Sequence, residues 1–481
     1  MRITYAMTNR ADAANARPGS GGEASQGSGL VRALTFKDLV FLSFGGQAAL
    51  LSLLSYATGV VIYVGYAAPL VIMLGTLVVL LNAVSVYGLS KRYGEVGGYY
   101  IYALYSMTRR LGLETGWTYI LYSVLYGAAY VMGATYILRY ALGLSPLLGS
   151  VIILILSSLF LALGIRPSAR YAEVAASIEL AALVFIIVAD LALVRLRLYN
   201  PLHVGWPSSE TLAAAILFAV GIPTGYGSIT PLAGEAVKKE DVGRAAILVV
   251  ILGGLLTAAV VYSMIDAGLY SGKINYILSA RVPVLDFMRL YYRDLAFIPL
   301  LFAAFNDGVL APLSFMAATS RTIYAMARNN MLPGQLGHIR GSHPFNAVLA
   351  TILLYALVVI PALVVTARPF TFFLIYGALA GMANLFVHIS ANVAYLVEEA
   401  KALRRAMIYG SLKAFSWIAK RSLGVLTGLV AALYSGWALI SSLASSQLRS
   451  ESNVLLAWII LGFLYAEVVD EVMGHSRSQS A

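Results

Sequence analysis

The sequence predicts an all-α polytopic membrane protein, and three observations carry that expectation. The 481 residues are 60% hydrophobic and only 11% charged, with a mean hydropathy of +0.81. Soluble chains carry about 25% charged residues, so this one lacks the charge to clothe a core in water. The apolar residues also fall into long runs, with no charged residue between Asp38 and Lys91. A spanning helix needs about 20 such residues, whereas barrel strands are about ten long and alternate. Backbone in lipid must satisfy its own hydrogen bonds, so runs of this length form helices.

Residues 1–34 are rich in Gly, Ala and Ser and lack the continuous apolar core of a signal peptide. They read as a disordered cytoplasmic tail. The helical bundle follows over 35–475. The stretch from about 39 to Lys91 has room for two spans, with a bend at Gly65–Pro69. Further spans are expected at about 115–140, 146–166, 171–194, 210–233, 244–267, 296–322, 344–366, 370–396, 422–445 and 452–472. That makes twelve, followed by a short tail at 476–481.

Charge orients the bundle. With a cytoplasmic N-terminus, 24 of the 33 Lys and Arg residues fall on the inner side, and four of the other nine sit in the 268–295 loop. Cytoplasmic loops carry such an excess, which predicts a cytoplasmic-membrane protein with both termini inside. The net charge of +11 is spread in short bursts between spans, not gathered into a groove for nucleic acid. The absence of cysteine excludes disulfides and thiolate chemistry.

Two spans carry clustered helix breakers. The first reads Leu42-Ser43-Phe44-Gly45-Gly46-Gln47-Ala48; the sixth contains Gly221-Ile222-Pro223-Thr224-Gly225-Tyr226-Gly227-Ser228. An interior proline costs about 3 kcal/mol and each glycine about 1, so the sixth span is expected to be discontinuous. For Gly45–Gly46, close helix packing by small residues is an equal alternative. Unwound backbone at membrane depth must line a protein-walled cavity. There its free N–H groups attract anions and its free carbonyls attract ammonium groups. Breaks in spans 1 and 6 fit a 5+5 inverted repeat, with helices 1–5 over about 39–194 and helices 6–10 over about 210–396. Helices 11–12, over about 422–472, are extra.

The chain resembles the amino acid–polyamine–organocation superfamily of amino acid permeases from about Thr35 to Asn392. Arg92-Tyr93-Gly94-Glu95-Val96-Gly97-Gly98-Tyr99-Tyr100-Ile101-Tyr102 is similar to the family's Gly-Gly-x-Tyr-x-Tyr loop, followed by Gly116-Trp117. Gly225-Tyr226-Gly227-Ser228 resembles its sixth-helix break, with Gly234-Glu235-Ala236, Arg244 and Ala245 behind it. Asn306-Asp307, Ser320 to Arg328 with Leu332-Pro333, and His388 with Asn392 match helices 8 and 10. Gly94 departs from the family's loop proline, Gln47 from its small residue, and Gly227 from its common acid.

The resemblance implies secondary active transport of an amino acid by alternating access, driven by an ion gradient or by exchange. The solute's carboxylate would lie on amides around Gly45, Gly46 and Gln47, and its ammonium on carbonyls near Gly221 and Ile222. Tyr226, after Gly225, would cap the site from outside. Tyr126 and Tyr130 read as packing. An acid inside a span costs about 2.5–3.5 kcal/mol, so Glu179 needs a reason. With Asn306 and Asp307 it forms the expected site for a coupling H+ or Na+. Arg321 and Arg328 with Glu235 are the expected cytoplasmic gate. Glu173, Asp190 and Asp266, near span ends, read as solvated. No phosphate loop or paired histidine appears, so no enzyme, cofactor or metal site is expected. The alternatives are a polyamine or organic cation transporter and a non-transporting solute sensor. Side-chain preference and oligomeric state stay open.

Overall fold

A computed structural model describes residues 29–195, 198–203, 208–341, 343–408 and 414–479. Among these the chain is helical throughout, with isolated bridges only at Leu34–Ala236 and Arg340–His343. Eleven stretches are long and apolar enough to cross a membrane.

The first span begins at a capping box. The Thr35 hydroxyl accepts from Asp38 N, and the Asp38 carboxylate accepts from Thr35 N, which satisfies two of the free donors at a helix start. Three short helices follow: α1 (Phe36–Gln47), α2 (Ala49–Leu54) and α3 (Tyr56–Val64). The run then turns at Gly65–Ala67, where Gly65 takes φ +52°, into α4 (Ala68–Ser90), as the sequence predicts. The Gly-Gly-x-Tyr loop leads to a short helix, α5 (Tyr99–Ser106). Its glycines have positive φ, and a side chain on Gly98 would collide with the backbone of Thr230 and Pro231. The loop is therefore built to lie directly on the end of the sixth segment.

Next come α6 (Arg109–Leu142), α7 (Pro146–Leu163) and α8 (Ile165–Leu193). The sixth segment starts as α9 (Ser209–Gly221) and then loosens into 3-10 turns at Thr224–Ser228 and Thr230–Glu235. Its apolar helix, Thr211–Gly221, is too short to span alone. The remainder is α10 (Glu240–Tyr270), α11 (Ile274–Ser279), α12 (Pro283–Tyr292), α13 (Asp294–Arg328), α14 (Phe345–Thr366), α15 (Pro369–Ile408), α16 (Ala414–Ala444) and α17 (Arg449–Gln479). The 268–295 loop thus contains α11 and α12. Their apolar residues Ile277, Val284, Leu285 and Phe287 are buried against the bundle.

Three sequence expectations change. Residues 29–34 are not free: Leu30 and Leu34 are buried, and Ala33 N and Leu34 N donate to Glu235 O. The 1–28 part of the expected tail lies outside the described residues. The tail expected from 476 continues α17 as far as Gln479, and 480–481 also lie outside. Asp190 and Asp266 are buried, not solvated. Asp190 accepts from Ser263 and Tyr292 hydroxyls, and Asp266 accepts from Tyr199 N. These donors come from α10, α12 and the 198–203 segment, which fold back over the span ends. Glu173, in contrast, is half-exposed and ion-paired with Lys37 at 2.5 Å.

Candidate functional site

The helix-1 break lies two residues beyond Gly46. Gly45, Gly46 and Gln47 form the last turn of α1, and the interruption is Ala48, in the left-handed region at φ 45°. The close-packing alternative therefore holds for the glycines. Gly45 faces Leu310 of α13, and Gly46 faces Ser228 and Gly225 O. The Gln47 side chain is buried toward Gly253 of α10, with neither amide atom hydrogen-bonded among the described residues.

A left-handed alanine costs roughly 1–2 kcal/mol, so something must hold it. The α2 start exposes free N–H groups, and two acids take them. Leu50 N donates to Glu179 Oε1 at 2.5 Å, and Leu51 N donates to Asp307 Oδ2 at 3.0 Å. Glu179 comes from α8 and Asp307 from α13; both are buried, and their carboxyl groups meet. Charge-assisted bonds of this kind are about twice as strong as neutral ones, enough to offset the strained alanine. Among the described residues Glu179 Oε2 and Asp307 Oδ1 have no donor. Two carboxylates in contact in a low-dielectric interior repel strongly. A proton shared between them, or a small cation, would relieve that repulsion.

The amides that the acids take are those of Leu50 and Leu51 at the start of α2, whereas the expected Gly45, Gly46 and Gln47 lie in the last turn of α1. Asn306 stands apart from the pair: its Oδ1 accepts from the Tyr171 hydroxyl at 2.5 Å.

The sixth-segment break falls where it was expected. α9 ends at Gly221, Ile222 and Pro223 follow, and the 3-10 turn begins at Thr224. The two breaks touch backbone to backbone: a Cβ on Gly225 would overlap Gln47 N and Ser43 O. Only glycine permits that approach.

The freed carbonyls are taken by a tyrosine stripe on α6. Tyr126 donates to Gly221 O at 2.6 Å, Tyr130 to Gln47 O at 2.8 Å, and Tyr119 to Gly227 O at 2.8 Å. Tyr126 and Tyr130 hydroxyls also bond each other at 3.0 Å. Tyr56 stands against both rings, and its buried hydroxyl has no partner among the described residues. Tyr126 and Tyr130 are thus the residues that sequence reasoning undervalued. The signal was present: positions 119, 122, 126 and 130 recur at i, i+3, i+7 and i+11, one face of a helix. A side chain on Gly227 would meet the Tyr122 hydroxyl at 2.7 Å.

Tyr226, expected to cap the site from outside, bonds His388 Nε2 of α15 through its hydroxyl at 2.5 Å, and Tyr99 of α5 shares that nitrogen at 3.3 Å. Farther along the same segment, Glu235 meets Arg321 of α13. Those two form a bidentate pair at 2.8 and 3.0 Å, each 2% exposed. Arg328 points elsewhere, donating to the Tyr324 hydroxyl at 3.3 Å.

With this geometry in place, the match to known families is decisive. The family model described as Amino acid permease covers residues 38–466. The chain belongs to the amino acid permease family. None of the curated proteins compared with it matches. The permease is accordingly a multi-pass membrane protein of amino acid transport. The matched region contains both breaks, the Glu179–Asp307 pair and the Glu235–Arg321 pair.

Proposed function

We propose that this permease is a secondary active transporter carrying an amino acid by alternating access, coupled to a proton on Glu179 and Asp307. The reading takes Phe36–Val64 as one broken span and α4 as the second. Ser209–Glu235 is then the broken sixth of twelve, in a 5+5 inverted repeat followed by α16 and α17. Both termini face the cytoplasm. The observation that supports coupling is the buried acid pair bonded to the α2 amides. Protonation removes the charge that holds those amides, so proton binding and the geometry of the helix-1 break are linked. Sodium is the alternative occupant of the same pair.

The solute site is the zone where Gln47 O, Gly221 O, Tyr56, Tyr126 and Tyr130 converge, together with the neighbouring Gly45, Gly46, Ile222 and Gly225. An incoming ammonium takes the two carbonyls. The displaced tyrosine hydroxyls then donate to the solute's carboxylate, so no buried polar group is left without a partner. The Glu235–Arg321 pair is the inner gate, and breaking such a buried pair by removing one partner costs about 3–5 kcal/mol.

The test is uptake of radiolabelled amino acids into proteoliposomes under pH and sodium gradients. Acidification outside should drive accumulation, and Glu179→Gln should abolish accumulation while sparing exchange. Efflux of a cationic amine with no amino acid uptake would sink this reading in favour of organic cation transport.

A further inference from the structure

At the end of the bundle opposite Glu235 and Arg321, the structure holds an open cavity of about 480 Å³. Single-ligand pockets run to about 300–1,000 Å³, so it can admit one small solute with water. Three guanidinium groups from separate segments converge on it: Arg139 at the end of α6, Arg281 before α12, and Arg368 before α15. They are three of only nine basic residues on the face that the charge distribution puts outside.

These arginines are not spent on neighbouring acids. Among the described residues no carboxylate forms an ion pair with any of the three. Asp286, close by on α12, is occupied by the Tyr140 hydroxyl at 2.6 Å and by Val282 N. Arg139 donates to Ala367 O at 2.7 Å, which fixes its fork at the rim. Arginine's planar donors match a carboxylate two at a time. Clustered charge of one sign also concentrates anions and repels cations.

The cavity also leads somewhere. Its floor is Tyr136 against Phe370, with ring centres 4.6 Å apart. Phe370 adjoins Phe373 at 6.0 Å, Phe373 adjoins Tyr56 at 5.1 Å, and Tyr56 stacks on Tyr126, which holds Gly221 O. An unbroken aromatic column thus separates the arginines from the sixth-segment break.

We propose that this cavity is an outer docking site for the solute's carboxylate, admitting acidic and neutral amino acids and turning away polyamines. It rests on the reading of the breaks as an amino acid site, and the Phe370–Phe373 column is the barrier between the two.

Phenylglyoxal labelling of arginines on the full-length permease, read residue by residue by mass spectrometry, tests this without relying on transport. In phosphatidylcholine vesicles, millimolar L-glutamate should slow modification of Arg281 and Arg368 several-fold, L-alanine less, and putrescine not at all. Arg449, exposed on the same face, is the internal control. Equal labelling with and without L-glutamate overturns the docking site, as does protection that appears only when phosphatidylglycerol is added. An Arg281→Gln/Arg368→Gln double variant should raise the KM for L-glutamate uptake about tenfold with kcat retained, and the effect should shrink as salt rises. An unchanged KM overturns the proposal. Protection in a wild type that takes up no amino acid would refute the transport reading and leave the carboxylate site standing.

Discussion

The two helix breaks lie in contact but are held open by different chemistry. The helix-1 break is charged: buried Glu179 and Asp307 grip the amides of α2 and hold Ala48 in a left-handed conformation. The sixth-segment break is neutral. Pro223 and two glycines terminate the helix, and tyrosine hydroxyls take the freed carbonyls. A charged break responds to protons or cations, and a neutral one responds to whatever competes for its hydrogen bonds. Under the proposed function, that division puts energy coupling at one break and solute recognition at the other.

The comparison can be broken most severely where the two breaks touch. Gly225→Ala places a Cβ on Gln47 N and Ser43 O, backbone atoms that cannot swing aside. Overpacking costs about 1–3 kcal/mol even when side chains yield. This variant should therefore lose its monodisperse peak in size exclusion. Gly221→Ala meets only the Tyr56 ring edge and should fold. A fully folded, active Gly225→Ala protein would mean that the breaks do not meet.

The next largest effects belong to the acid pair. Glu179→Gln and Asp307→Asn keep an oxygen acceptor for the α2 amides and remove the proton site. Each should cut gradient-driven uptake about a hundredfold, roughly 2.7 kcal/mol, while exchange remains within a few-fold of wild type. Equal loss of both activities in tracer assays would make the pair structural.

Smaller effects are expected at the carbonyls held by tyrosines, Gly221 O of the sixth segment and Gln47 O of helix 1. Tyr126→Phe and Tyr130→Phe each remove a hydrogen bond worth about 1 kcal/mol, so KM should move about fivefold without changing the dependence on pH. A shifted pH profile would show that the two breaks share one function. The smallest effect is Pro223→Ala. The Gly225 contact holds the break independently, so the change in thermal stability should stay below about 1 kcal/mol.

The sixth-segment break was legible because proline and clustered glycines act locally, through φ restriction and a missing donor. The helix-1 break fell at the end of the expected breaker run and not at its glycines, because glycine can also be helical. What decides the matter at Ala48 is a pair of carboxylates distant in the chain. Tyr126 and Tyr130 looked like packing since a tyrosine's hydrogen-bond partner is invisible until α6 is set beside both breaks. Asp190 and Asp266 looked solvated because their donors come from α10, α12 and the 198–203 segment, which fold over them.

By itself the sequence determined the helical membrane architecture, the family and the existence of two breaks. Hydropathy, charge and proline act over about 20 residues, and lipid leaves the backbone few alternatives. Only the tertiary structure decided that the α2 amides belong to Glu179 and Asp307, that tyrosines guard the carbonyls, and that three arginines share one cavity. Each of these joins residues far apart in the chain, and hydrogen bonds and charge act across space, not along sequence.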